Sequence, residues 1–193
     1  MTFKQNGFQV VKNFLDQDFL DFIQHYFFVR ISAGQSTTDD KQAPLSHSFY
    51  GDPLMDTILD KSYKALGEII GLNLLPTYTY TRLYGKNDEL VIHRDRPSCE
   101  ISATLSLAIP KNEGINPIYF SQNEDGSDAV EIILNPGDLC LYRGCDLYHW
   151  RPKFTNKWYL QSFLHFVDAN GQYKDNLYDG RKFLGMKKNV VDD

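Results

Sequence analysis

Apolar and polar positions change rhythm once along this chain. Up to about residue 71 the apolar residues recur at helical spacing. In "DQDFLDFIQHYFFVR" they fall at Phe19, Phe22, Ile23, Tyr26 and Phe27 behind Asp16, which reads as an N-cap. A second helix has Asp52 as N-cap, Pro53 in its first turn, Leu54, Ile58, Leu66 and Ile69 on one face, and Gly71 as its stop. Between them residues 32–47, "SAGQSTTDDKQAPLSH", are polar with Gly and Pro, and read as a loop and a candidate lid.

Beyond Gly71 the period becomes two. "PTYTYTRLY" places Tyr78, Tyr80, Arg82 and Tyr84 on one face of a strand. "EISATLSLAI" sets Ser102, Thr104, Ser106 and Ala108 against Ile101, Ala103, Leu105, Leu107 and Ile109. "ELVIH", "PIYFS", "AVEIIL", "DLCLYR" and "KWYLQSFLHFV" are further strands, separated by turn clusters such as "NEDGSD" and "NPGD". About eight strands behind two helices predict an α+β domain with an antiparallel sandwich or barrel core. With no repeat or linker, residues 1–193 read as one domain: a helical part (1–72), a β core (74–168) and a polar surface tail (169–193).

Composition narrows the functional classes. A chain of 193 residues can bury a core unaided. Its net charge of −5 disfavours bulk nucleic-acid binding, which requires a cationic surface. Neither a bilayer span nor a secretory signal is legible, so a cytoplasmic location is the default. Cys99, Cys140 and Cys145 form no C-x-x-C pair, which argues against a disulfide framework or a thiolate zinc site.

Candidate chemistry gathers around "ELVIHRDRPSCE". Strand residues two apart share a face with Cα atoms ~7 Å apart, so His93 and Asp95 can meet one ion while Arg94 points away. His149 in "YRGCDLYHW", 54 positions after Asp95, is the candidate third ligand. Two histidines and a carboxylate match the facial triad of non-heme iron(II), and zinc also accepts such donors. A kinase catalytic loop also begins H-R-D, but needs Asn where Glu100 stands, along with a Gly-rich loop and D-F-G.

The order H-x-D, then Pro136-Gly137-Asp138, then His149, with Tyr84-Gly85 leading into the first strand of the set, resembles the iron(II)/2-oxoglutarate-dependent oxygenases. The closer resemblance is to their prolyl-4-hydroxylase-like branch, and it covers roughly residues 74–168. It implies a double-stranded β-helix, or jelly roll, with the N-terminal helices packed on one sheet. It also implies Fe(II) held by His93, Asp95 and His149, with 2-oxoglutarate and O2 as cosubstrates. The expected reaction is hydroxylation of a C–H bond with release of succinate and CO2. The family's basic anchor for the far carboxylate lies nine or ten positions after the distal histidine, where this chain has Trp158 and Tyr159. The nearest basic residue, Lys157, is therefore the expected anchor, with Arg82, Arg143 and Arg151 in reserve. Tyr84 is carried over as a pocket residue. The substrate class expected is a peptide side chain or small molecule. The competing reading is a non-catalytic cupin-like binding module, with or without a metal.

Overall fold

The computed structural model describes residues 2–38, 40 and 42–187. A short helix α1 (Phe3–Asn6) and strand β1 (Phe8–Val11) precede helix α2 (Gln17–Ser32), strand β2 (His47–Tyr50) and helix α3 (Pro53–Ile70). There follow β3 (Leu74–Gly85), β4 (Leu90–His93), β5 (Ile101–Ala108), β6 (Ile118–Ser121) and β7 (Val130–Ile132). The last three strands are β8 (Leu139–Arg143), β9 (Tyr148–Arg151) and β10 (Trp158–Asp168). All strand pairs are antiparallel. They form a six-stranded sheet, β1-β8-β5-β10-β3-β2, and a four-stranded sheet, β4-β9-β6-β7.

The helices start where capping chemistry starts them. Asp16 accepts a hydrogen bond from the Phe19 N–H, and Asp52 accepts from Leu54 and Met55. Gly71 ends α3 in the left-handed region at φ 71°, which a side chain would disfavour. Both long helices lie on the outer face of the large sheet. Ile23, Phe27, Met55 and Leu59 pack there against Ala103, Leu105, Leu139, Leu160 and Leu164. The other face of the large sheet looks onto the small one, where Phe8, Cys140 and Tyr142 meet Ile118 and Phe120.

Two boundaries expected from sequence change. The part read as helical contains β1 and β2, which form opposite edges of the large sheet. Each has only four residues, too short to display a period, and its partner is remote in sequence (β8 and β3). The tail is not wholly superficial either. Asp179 and Arg181 are buried, at 4% and 6% exposure. The Arg181 guanidinium bonds the Asp56 carboxylate and the Thr77 carbonyl, tying the tail to α3 and β3.

Candidate active site

His93 and His149 face each other across the β4–β9 ladder, their ring centroids 4.3 Å apart. Asp95, two residues beyond His93, brings Oδ1 to 3.6 Å from both Nε2 atoms. Backbone carbonyls orient both rings. His93 Nδ1 lies 2.8 Å from the Val91 oxygen, and His149 Nδ1 3.0 Å from the Leu147 oxygen. A carbonyl only accepts, so each Nδ1 carries a proton, and Nε2 is the ring nitrogen that faces Asp95. Metal-binding imidazoles are held in this tautomer by such second contacts. Burial would raise the Asp95 carboxyl, but the two imidazoles, His149 foremost, hold it well below the usual carboxylate range.

The backbone under the triad leaves no room for a side chain at Gly144. Its carbonyl takes the Asp95 N–H at 2.8 Å, and a Cβ there would collide with the Cys99 carbonyl and the Asp95 carboxylate. Ser102 supports Asp95 from the other side, its hydroxyl 2.9 Å from Oδ2.

A cavity of about 420 Å³ opens onto the triad, lined also by Tyr78, Tyr80, Arg82, Phe163 and His165. Asp40 and Gln42, from the segment read as a lid, line it too, whereas Asp39 and Lys41 lie outside the described residues. The alternation read for β3 places Tyr78, Tyr80 and Arg82 on the cavity side. Arg82 is already engaged: its Nε lies 2.6 Å from Asp40 Oδ2, and Nη2 donates to Gln42 at 2.9 Å. Tyr84 is fully buried, stacked on Phe154 and Tyr159 outside the cavity lining. Arg94 does not turn away as strand alternation expects. It lines the cavity, with its guanidinium 4.7 Å over the Tyr148 ring, because β4 ends at His93 and alternation lapses beyond it.

Lys157 is exposed in the turn before β10, where its backbone N–H donates to Glu113, and it is absent from the cavity lining. Arg151, likewise outside the cavity lining, is a cationic group buried between the sheets, two residues after His149 on β9 and only 1% exposed. Its Nη1 donates to the Asn116 carbonyl at 2.8 Å and its guanidinium lies 5.2 Å over the Tyr159 ring. No carboxylate pairs with it among the described residues. Arg151 Nε, Tyr159 OH, Gln161 Oε1 and Ser106 Oγ are all buried without a hydrogen-bond partner. A guanidinium without a carboxylate partner and three further unsatisfied polar atoms in one sandwich interior are costly unless a guest completes them.

No protein-family model matches the sequence, and no curated protein matches it. Solved structures do resemble the fold. A prolyl hydroxylase from Trichoplax adhaerens, in complex with a hypoxia-inducible-factor oxygen-degradation-domain peptide fragment, superposes with a TM-score of 0.71 at 14% identity, over 93% of this chain and 90% of that one. A Pseudomonas putida prolyl-4-hydroxylase gives 0.67 at 15% identity, over 86% and 95%. HygX from Streptomyces hygroscopicus, with nickel, 2-oxoglutarate and hygromycin B bound, gives 0.64 at 14%, over 87% and 85%. The chain therefore has the fold of these oxygenases. At such identities the likeness speaks for the fold, and the chemistry rests on the side chains.

Proposed function

We propose that the chain is an iron(II)- and 2-oxoglutarate-dependent dioxygenase built on a double-stranded β-helix. It hydroxylates a C–H bond of a peptide side chain or small molecule, consuming O2 and releasing succinate and CO2. His93, Asp95 and His149 hold the iron, which supplies oxygen activation when bound. The observation that carries the reading is Arg151. An unpaired guanidinium on the His149 strand, beside the unpartnered Tyr159, Gln161 and Ser106 atoms, answers the far carboxylate of a dicarboxylate cosubstrate. The donor set fits: two imidazoles that present Nε2 and one carboxylate suit a divalent ion of intermediate softness.

The rest of the chain binds, orients and excludes water. Arg151 fixes one end of the cosubstrate between the sheets, so that its other end meets the metal. Tyr78, Tyr80 and Phe163 line the space left for substrate, and the cavity is of the size that takes small ligands, roughly 300–1,000 Å³. Asp40 and Gln42 close one wall through Arg82, whose charge is thereby neutralised and withdrawn from the anchor role. Proteins of this fold hold both peptide and small-molecule ligands: a peptide fragment in the T. adhaerens prolyl hydroxylase and hygromycin B in HygX.

The test is an anaerobic titration with iron(II) and then 2-oxoglutarate, followed through the visible metal-to-ligand charge-transfer band. The wild type gives a saturable band, Asp95→Ala gives none, and Lys157→Ala matches the wild type. Charge-assisted hydrogen bonds contribute about 1.5–3 kcal/mol each. Arg151→Met therefore needs at least about tenfold more 2-oxoglutarate for the same band. Stoichiometric iron without a band would overturn the proposal in favour of a non-oxidising binding module.

A further inference from the structure

Asp95 belongs to two ligand clusters. The first is the triad. In the second, Asp95, Cys99 and His165 each offer one ligand atom, all within 4.8 Å of one another. Cys99 and His165 are 2% and 5% exposed, and both line the same cavity as the triad, so an ion can reach them. We infer that Asp95, Cys99 and His165 form a second divalent-metal site, for a thiophilic ion of the zinc class, sharing its carboxylate with the triad.

The tautomer of His165 follows from hydrogen-bond logic. Ser102 Oγ lies 2.9 Å from Asp95 Oδ2, 3.2 Å from the Cys99 carbonyl and 2.9 Å from His165 Nδ1. Its single proton goes to the carboxylate or the carbonyl, neither of which can donate. The contact with His165 therefore requires Nδ1–H donating to Ser102, which leaves the lone pair on Nε2. That nitrogen has no hydrogen-bond partner among the described residues. Tyr78 stacks on the ring at a centroid distance of 4.5 Å and holds it in place. The Tyr78 hydroxyl also lies 3.1 Å from Cys99 Sγ, where it can donate to a thiolate. Neutral imidazole, thiolate and carboxylate are the donors zinc selects, with a fourth position left to water. The thiol releases its proton to solvent as the ion binds. A lone cysteine near no second cysteine gives no sequence sign of such a site, because the three ligands come from the H-x-D segment, the turn after it and β10.

Sharing Asp95 has a functional consequence. An ion in the second site draws on the carboxylate that the triad needs, so a zinc-class ion there weakens loading of the triad, in addition to any direct competition for the triad's own donors. By linkage, an ion in the triad weakens the second site to the same extent.

Cobalt(II) is the probe, because a thiolate ligand adds a near-ultraviolet charge-transfer band that a two-histidine, one-carboxylate site does not produce. The full-length protein, titrated anaerobically with cobalt(II), develops this band. His149→Ala and Cys145→Ser retain it, Cys99→Ser loses it, and His165→Gln needs at least about tenfold more cobalt to reach it. Zinc(II) bleaches the band, and it weakens iron(II) binding more in the wild type than in Cys99→Ser, where only direct competition at the triad remains. No thiolate band at saturating cobalt, or a band that survives Cys99→Ser, would overturn the second site. Either result leaves the 2-oxoglutarate titration to be judged separately. Should Cys99→Ser fail to fold, a weakened response in His165→Gln beside an unchanged one in Cys145→Ser supports the site. An unchanged response in His165→Gln then overturns it.

Discussion

The large sheet has two faces, and they are built for opposite purposes. Along β5, Ile101, Ala103, Leu105 and Leu107 point towards the helices and are almost completely buried in apolar surroundings. Between them Ser102, Thr104 and Ser106 point into the sandwich and are equally buried, at 0% exposure. The helix-side layer is finished: it is largely apolar, and its buried Asp56, Thr79, Thr81 and Ser162 are hydrogen-bonded to one another. The sheet-to-sheet layer carries Arg151, Gln161, His165 and Ser106, several with unmet hydrogen-bonding capacity. One layer stabilises the fold, and the other gives up stability to hold a guest. A single strand serves both because its side chains alternate.

That contrast can be broken from the helix side first. Phe27, at 0% exposure, packs on Phe49 and the sheet, so Phe27→Ala costs about 3–5 kcal/mol in chemical denaturation. The fraction still folded binds iron(II) as the wild type does. If metal binding collapsed along with stability, the two layers would not be separable. From the guest side the sign changes. Arg151 has no carboxylate partner, so its hydrogen bonds to Asn116 and Thr104 offset only part of the cost of burying its charge. Arg151→Met therefore melts no lower than the wild type when both are free of ligand. Iron-loaded wild type gains about 2.7 kcal/mol at 2-oxoglutarate concentrations a hundredfold above Kd. Arg151→Met gains clearly less at the same concentration.

A smaller effect sharpens the comparison at the turn joining the layers. Asp138, in the Pro136-Gly137-Asp138 turn, accepts from the backbone N–H groups of Asn13 and Asn135 and from the Lys12 ammonium. Burial would raise this carboxyl, but Lys12 and the backbone donors outweigh it and hold it below its ordinary value. A depressed carboxyl contributes stability above its unfolded pKa and loses it as pH falls through the folded one. Asp138→Asn therefore costs about 1–3 kcal/mol at neutral pH, and the gap to wild type closes progressively below about pH 4. A gap that stayed constant with pH would assign the cost to shape rather than charge. Lys157→Ala, at an exposed position, changes stability by no more than about 0.5 kcal/mol.

Most of the β core is legible in the sequence because alternation is a local signal. β3, β5 and β10 each run long enough to display it, and the caps Asp16 and Asp52 mark the helices as expected. The His93, Asp95 and His149 cluster is legible through spacing: residues two apart stay close even though β4 ends at His93, and His149 is the next histidine in the chain. The anchor is harder to read. Counting from the distal histidine to a basic residue leads to Lys157, since nothing local says how the chain from Pro152 to Lys157 turns outward. Alternation along β9 does put His149 and the proposed anchor Arg151 on one face. The edge strands β1 and β2 and the buried Arg181 depend on partners remote in sequence, and no local pattern encodes them. His165 and Cys99 come together only when β10 closes against β5.

The position of β10 has a further consequence, for the order in which the molecule is made. This strand lies between β3 and β5, paired with both, although it is the last strand in the chain. During synthesis β3 and β5 thus stay open-edged until residues 158–168 have left the ribosome. Such remote pairings are slow, and exposed strand edges invite association. A chain stopped just short of Trp158 keeps the ligand motifs His93, Asp95 and His149 but lacks the strand that closes the container. Such a chain is a client for chaperones rather than a smaller enzyme.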